Sequence, residues 1–391
     1  MANTVINPTV YSRKTQMHLM NALVMSPLCD HSFESSITPG YTIQKPYVNH
    51  GRVQSYSFST DLTIDGRTWV SNSYNIDQVK SATGNWDPLQ NMQSSVTDIE
   101  DMITSSNGYV LGNYIDQYAI QTAVNGAGST LAGSSVTVSN IYELLSHANA
   151  KLAAGQARAG RRCILLDPYM KSVLEEKMVA SGFKAADDAL YNGFTGMERA
   201  GLRVYETNNL PFSVTLTTST IFTAGDVLTI KGVTLTAAAS GAAAAAGEFS
   251  IGANAAAMEV NLRALINGTG TPGASTYIEL STDNRRKFQN AQVACTAFSS
   301  DVATISGYGV LAVTMPVVRG SNAVGTETGS TIAFVEGAES LTIQKYPFTE
   351  QRDPSANHSV NVLQTTMFGG GVFVREAPSI VKVTFNAINS Y

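Results

Sequence analysis

Residues 268–273, Gly-Thr-Gly-Thr-Pro-Gly, have the G-x-G-x-x-G spacing with which a glycine-rich turn brings backbone N–H groups against a pyrophosphate. That chemistry needs a strand before the turn and a helix after it. Here the order is reversed, because a helical pattern ends at Ile266 and a strand pattern follows over 277–280, so the glycines read as a loop. Gly369-Gly370-Gly371 is not followed by Lys-Ser/Thr, so it is no P-loop and reads as a tight connection between strands. The five histidines, His18, His31, His50, His147 and His358, lack the H-E-x-x-H spacing that puts two imidazoles on one helix face, and read as polar surface or packing residues. Cys29, Cys163 and Cys295 show no Cys-x-x-Cys pair, which indicates neither a disulfide framework nor a zinc site. The acidic pairs Glu100-Asp101 and Asp187-Asp188 are neighbours beside helical stretches, where consecutive residues face different directions, and read as solvated faces. Arg158, Arg161 and Arg162, and Arg285, Arg286 and Lys287, are short basic clusters without interleaved aromatics; they can meet phosphate but not read a base sequence. No catalytic residue, cofactor-binding residue or metal ligand is assigned.

The elements that would position these residues are legible over 140–211. Asn140 reads as an N-cap with Glu143 three residues on, and Ile141, Leu144, Leu145, Ala148 and Leu152 share a face of a helix ending near Gly155. Cys163-Ile164-Leu165-Leu166 reads as a strand buried on both faces. Asp167 and Pro168 suit the start of the next helix, with Met170, Val173, Leu174 and Met178 as its apolar stripe and Gly182 as its terminator. A second strand runs over 202–207 before the turn 208–211.

The pattern resumes only after Ser330, with strand-like runs at 331–335, 340–344, 360–363, 372–374 and 380–385 that can complete the sheet begun at Cys163. Between lies a segment of different composition, 212–329, that reads as a small fold of its own. In it, 225–230 and 233–236 flank Lys231-Gly232 as a hairpin; Phe249 and Ile251 suggest a third strand; Asn254 caps a helix over 255–266 that Asn267-Gly268 ends; and 277–280, 291–297 and 303–310 are further strand candidates. The alanine run 242–246, bracketed by Gly241 and Gly247, reads as a loop.

Residues 12–25 form a short amphipathic helix that cannot bury its stripe alone. Residues 41–79 hold β-like stretches, notably 53–58 and 62–70, in a projection that needs a neighbour to rest on. Helical signals run over 96–122, with Tyr114, Ile115, Tyr118, Ala119 and Thr122 on one face and a break at Ser105-Ser106-Asn107-Gly108. With 14% charged residues, 43% hydrophobic residues and a net charge of −5, the chain has a low charge density that suits a surface meeting other protein. No apolar run approaches the ~18 to 20 residues that span a bilayer, and residues 1–10 lack a signal-peptide pattern, so a reducing cytosol is the expected site of synthesis.

An N-terminal arm, a long β projection, a long helical segment and an α/β unit carrying Arg161-Arg162-Cys163-Ile164-Leu165-Leu166-Asp167-Pro168 together resemble the major capsid proteins of tailed bacteriophages. Gly201-Leu202-Arg203-Val204-Tyr205-Glu206-Thr207-Asn208-Asn209-Leu210-Pro211 is similar to the strand and turn before the inserted domain in coat proteins of short-tailed Salmonella-type phages. Thr331-Ile332-Ala333-Phe334-Val335-Glu336-Gly337-Ala338 resembles the point where their core resumes, and Met367-Phe368-Gly369-Gly370-Gly371-Val372 fits ahead of the final strand. The resemblance implies an α+β fold organised as an N-terminal arm (1–40), an extended β-loop (41–95), a peripheral region with a spine helix (96–139), an axial domain (140–211), an inserted small β-rich α/β domain (212–329) and the rest of the axial and peripheral domains (330–391). It implies a subunit that forms the pentamers and hexamers of an icosahedral head in the virion, assembled in the host bacterial cytoplasm around non-specifically contacted double-stranded DNA. A separate scaffolding protein and a portal are the expected partners, with no membrane, no cofactor and no enzymatic activity. The same fold also builds nanocompartment shells, and the inserted hairpin recurs in virion tail and adhesin proteins.

Overall fold

The computed structural model describes residues 24–32, 42–48, 53–58, 64, 66, 69–86, 99–155, 157, 159–180, 198–318, 320–352 and 362–387. The amphipathic helix expected over 12–25 lies outside them but for Val24 and Met25, as do Gly182, Asp187, Asp188 and Arg158. The chain divides into two units: His31–Leu111 with Ser340–Phe373 make up the described part of one, and the described residues of Leu19–Asp30, Gly112–Glu339 and Val374–Tyr391 form the other.

In the first unit, β1 (Thr42–Val48) and β2 (Trp69–Asn75) pair antiparallel from Thr42↔Asn75 to Val48↔Trp69. Strands were expected at 53–58 and 62–70; most of the second stretch lies outside the described residues, with Trp69 and Val70 opening β2, while 53–57 belong to no strand and lead into a turn at Phe58. Strand propensity expresses fit to a half-buried pleated surface, and Val53, Tyr56 and Phe58 are all exposed. β3 (Gln78–Trp86) pairs antiparallel with Val362–Val374, which also neighbours Glu339–Arg352 in a three-stranded sheet. The expected connection at Gly369-Gly370-Gly371 is therefore corrected: these glycines sit inside a 13-residue strand. A Cβ on Gly371 would stand 3.1 Å from the Asn75 carbonyl oxygen, so glycine here lets two backbones approach rather than turning the chain.

The helix α1 (Ile99–Asn125) runs 27 residues without interruption, through the expected break at 105–108. Thr104, Asn107 and Gly108 are buried, and burial outweighs the tenths of a kcal/mol by which Ser and Asn disfavour helix, and the ~1 kcal/mol of Gly. In its second half Ile115, Asp116, Ala119, Ile120 and Ala123 are fully buried, while Tyr114 and Tyr118 stack at the margin with centroids 6.4 Å apart.

The second unit is built on one sheet. After β4 (Ser129–Ser135) comes α2 (Ile141–Ala154), whose Ile141, Leu145, Ala148 and Leu152 are buried, while Leu144 is half-covered. Asn140 stands at the N-cap position, but its side chain turns back: Oδ1 accepts from Thr137 N–H and Nδ2 donates to Ser135 O, so the expected side-chain cap is not made. β5 (Arg162–Leu166) is buried from Cys163 to Leu166, and α3 (Pro168–Ala180) follows, with Asp167 Oδ2 accepting Tyr169 N–H at 3.1 Å and Met170, Val173, Leu174 and Met178 buried. β6 (Glu198–Arg199) and β7 (Leu202–Glu206) form a short antiparallel pair, and β7 lies parallel to β5.

β8 (Pro211–Thr217), at the start of the stretch expected to be an inserted domain, belongs to the main sheet. β9 (Val227–Ile230) and β10 (Val233–Ala238) make the expected hairpin, with Lys231 at φ 53 and Gly232 at φ 73, the left-handed pair that a two-residue turn of this twist requires. β11 (Glu248–Ser250) adds parallel to β10, and α4 (Ala255–Asn267) is capped by the Asn254 side chain and closed by Gly268 in the left-handed conformation, as expected. Residues 277–280 are not a strand; Tyr277 makes a single bridge with Phe249. Helix α5 (Thr282–Asn290) was not expected, and the strand read over 291–297 shrinks to β12 (Ala294–Cys295). β13 (Val302–Tyr308), β14 (Ala323–Val324) and β15 (Thr328–Val335) complete the segment.

Among the described residues the main sheet has ten strands, with a path β12-β13-β8-β15-β5-β7-β6 and β14 on β8; β15 also pairs with the last strand, Ile380–Asn386, which lies parallel to β4. The two ends of the stretch 212–329 meet in it, with Phe212 opposite Gly329 and Ser213 opposite Thr328. Phe212 and Phe385 face each other edge to face at 5.6 Å across Gly329, where a Cβ would fall 2.4 Å from the Phe385 ring. Fully buried Ile164, Leu165, Phe334, Val381 and Val383 form the centre, each worth ~1.5–3 kcal/mol of apolar burial.

Candidate assembly surface

The residues whose spacing could have done chemistry are used otherwise. Gly268 and Gly270 adopt positive φ in the loop after α4, with no strand ahead of them. Arg285 is half-buried: Nη1 and Nη2 donate to the Ile266 and Leu265 carbonyls at 2.9 and 2.7 Å, and Nε to Glu279 at 2.6 Å, so a guanidinium covers the carbonyl end of α4. Arg286 reaches Asp283 at 3.8 Å on the surface, and Arg161 reaches Glu336 at 3.7 Å. Arg162 donates to Asn149. His147 lies exposed 3.9 Å from Glu143, and His18, His50 and His358 fall outside the described residues. All three cysteines are buried and unpaired with one another; burial pushes the Cys29 thiol well up and the Cys295 thiol up to about 11. Among the described residues no group of three or more His, Cys, Asp or Glu is arranged to hold a metal ion.

What the first unit does present is apolar surface on an extended loop. Val53 and Phe58 are essentially fully exposed, Ile64 is 93% exposed and Tyr56 65%, with the Tyr56 and Phe58 rings edge to face at 5.6 Å. Single exposed apolar residues are ordinary, but several within a dozen positions on a two-stranded ribbon make a surface that gains free energy by being covered. At ~25 cal/mol per Å² of apolar area, covering such side chains is worth ~1.5–3 kcal/mol each.

In the second unit the stretch 24–30 is tied down by residues from four distant parts of the chain. Asp116 Oδ1 accepts the N–H groups of Val24 and Met25 at 3.1 and 2.8 Å, and Oδ2 accepts Asn209 Nδ2 at 2.7 Å. The 3-10 turn Ser26–Leu28 follows, and Leu28 O accepts Gly337 N–H at 2.9 Å while Asp30 N–H donates to Glu339 O at 2.8 Å. Asp30 pairs with Arg375, and Met25, Leu28 and Cys29 are buried. Burial pushes the Asp116 carboxyl up, opposed by its hydrogen bonds from Asn209, Met25 and Val24. Burial pushes Glu339 well above the usual carboxylate range, and the Cys29 thiol lies 3.9 Å from its Oε2. Sequence reasoning singled out none of Asp30, Asp116, Glu339 and Arg375. They belong to no short motif, and the separations they bridge run from 91 residues for Asp116 and Met25 to 345 for Arg375 and Asp30.

No protein-family model and no curated protein matches the chain. Among solved structures, a chain of the Mycobacterium phage Che8 structure aligns over 92% of this chain and 90% of its own length, with 13% identity and a TM-score of 0.55. The capsid of Ralstonia phage GP4 aligns over 93% of this chain and 88% of its own, with 7% identity and a TM-score of 0.51. The chain therefore has the α+β tailed-phage capsid fold expected from the sequence.

Proposed function

We propose that this chain is the major capsid subunit of a tailed phage, a structural protein whose copies form the pentamers and hexamers of a closed icosahedral head in the virion. The likeness in fold to the Ralstonia phage GP4 capsid along most of the chain carries the reading. The exposed apolar loop at Val53, Tyr56, Phe58 and Ile64 supports it, since a lattice of like subunits covers such a surface on every copy. No helix among the described residues is long and apolar enough to cross a membrane. A net charge of −5 suits a lining that contacts packaged double-stranded DNA non-specifically, because a cation-rich surface is needed for binding from solution and not for enclosing DNA driven in by a motor. A separate scaffolding protein, a portal and assembly in the host cytoplasm complete the proposal.

Negative-stain electron microscopy of the purified chain, expressed with and without a candidate scaffolding protein, tests it. Closed isometric shells are the expected result; tubes, elongated trimers or a stable monomer under both conditions overturn it. Phe58→Asp changes only an exposed side chain and should leave the subunit folded while lowering shell yield at least tenfold.

A further inference from the structure

Lys231 occupies the left-handed first position of the turn between β9 and β10, yet its side chain is not spent on solvent. Its Nζ donates to Tyr308 O at 3.0 Å and Val310 O at 3.2 Å, and its own N–H donates to Leu311 O at 2.6 Å. Tyr308 ends β13, a strand of the main sheet. One residue pair back along the hairpin, Thr229 and Thr314 exchange two backbone hydrogen bonds at 2.9 Å. The stretch 309–314 is in turn held by Glu327, whose carboxylate accepts Leu311 N–H at 2.5 Å and Ala312 N–H at 3.0 Å, with Ala312 strained at φ 47. Glu327 directly precedes β15, and Asp167 directly follows β5, so both carboxylates are mounted on neighbouring central strands.

We propose that Lys231 is a latch: its ammonium docks the β9–β10 hairpin, through the strap 309–314, onto the main sheet, with Glu327 and Asp167 as the fixed counter-charges, and releasing it frees hairpin and strap while the sheet stays folded. Among the described residues, Glu327 and Asp167 bear on Lys231 electrostatically; Asp167 also feels Glu206, which is committed to Lys171 at 2.7 Å. Burial lowers the Lys231 ammonium from its ordinary value, raises Glu327, and pushes Asp167 up to about 6, the pattern of a partly dehydrated cluster. Drawing an ammonium partly out of water is costly, and the two backbone carbonyls that accept from Nζ offset that cost, so lysine at this position marks the docking contact. The inference is independent of the assembly reading, since it concerns a single chain.

Amide hydrogen exchange on the full chain tests it with Lys231→Met, which keeps the stem and removes the ammonium, and Lys231→Arg, which keeps a donor and charge. The latch predicts exchange at least tenfold faster in 225–238 and 309–316 for Lys231→Met, unchanged exchange in 162–166 and 330–335, and partial recovery in Lys231→Arg. Unchanged exchange in hairpin and strap, or equal acceleration in all four regions, overturns it. Should Lys231→Met not fold, Glu327→Gln keeps one acceptor oxygen and removes the charge; about threefold acceleration confined to the same two regions is expected, and none there overturns the proposal.

Discussion

Asp116→Ala is the sharpest probe of how the arm is rooted. The substitution removes the acceptor for Val24 N–H, Met25 N–H and Asn209 Nδ2 at 3.1, 2.8 and 2.7 Å. A buried donor left without a partner costs ~1–3 kcal/mol; Met25 N–H is buried, whereas Val24 and Asn209 are partly open to water and lose less. Against that, the variant no longer carries the desolvation cost that pushes the Asp116 carboxyl up. The balance is a loss of about 2–3 kcal/mol, localised at 24–30 because the other ties, Leu28 O to Gly337, Asp30 N to Glu339 and Asp30 to Arg375, lie beyond the turn. At ~1.4 kcal/mol per factor of ten, the amides of Leu28 and Cys29, which bond back to Met25 O, should exchange roughly 30- to 150-fold faster, with Cys163–Leu166 unaffected. Asp116→Asn keeps one acceptor and should lose about 1 kcal/mol. If protection at 24–30 is the same in Asp116→Ala as in the parent chain, the burial of Met25 and Leu28 alone roots the arm, and the carboxylate reasoning is wrong.

Burial raises the Glu339 carboxyl well above the usual carboxylate range, so the folded chain binds its proton more tightly than the unfolded chain does. The resulting stability is fully present below the ordinary carboxylate range and is lost as pH rises through the raised folded value; Glu339→Gln should flatten the fall in urea midpoint between pH 5 and pH 9, and a parallel fall in both chains would refute this. Gly329→Ala places a methyl 2.4 Å from the Phe385 ring and 2.8 Å from the Phe212 ring, both fully or almost fully buried, and should destabilise by about 1–3 kcal/mol of overpacking, read as a lowered melting temperature.

The elements around Cys163 were legible because their signals are local. An apolar run too short for a helix, Asp-Pro at a helix start, and apolar residues recurring at helical spacing in Met170 to Met178 each act within one turn. The Lys231-Gly232 turn was legible for the same reason, since its two left-handed residues are adjacent. Helix α5 was not, because Thr-Asp-Asn-Arg-Arg-Lys-Phe-Gln-Asn has one apolar residue, Phe288, and so no stripe; the signals that were present are the Ser281 cap, Asp283 in the first turn and Lys287 in the last. The order of segments was enough to suggest the fold, but not the residues that root the arm.

By itself the sequence determined the elements around Cys163, namely α2, β5, α3 and β7, and the β9–β10 turn, since periodicity and turn chemistry are properties of neighbours along the chain. Tertiary structure alone decided that β1 pairs with β2 while 53–57 join no strand, that three glycines run straight through a strand, and that α1 ignores its break. It alone brought Asp116 to Met25, Glu339 to Cys29 and Lys231 to the end of β13. A buried polar group takes whichever partner the packed fold delivers, and no local rule in the chain encodes which of several hundred residues that will be.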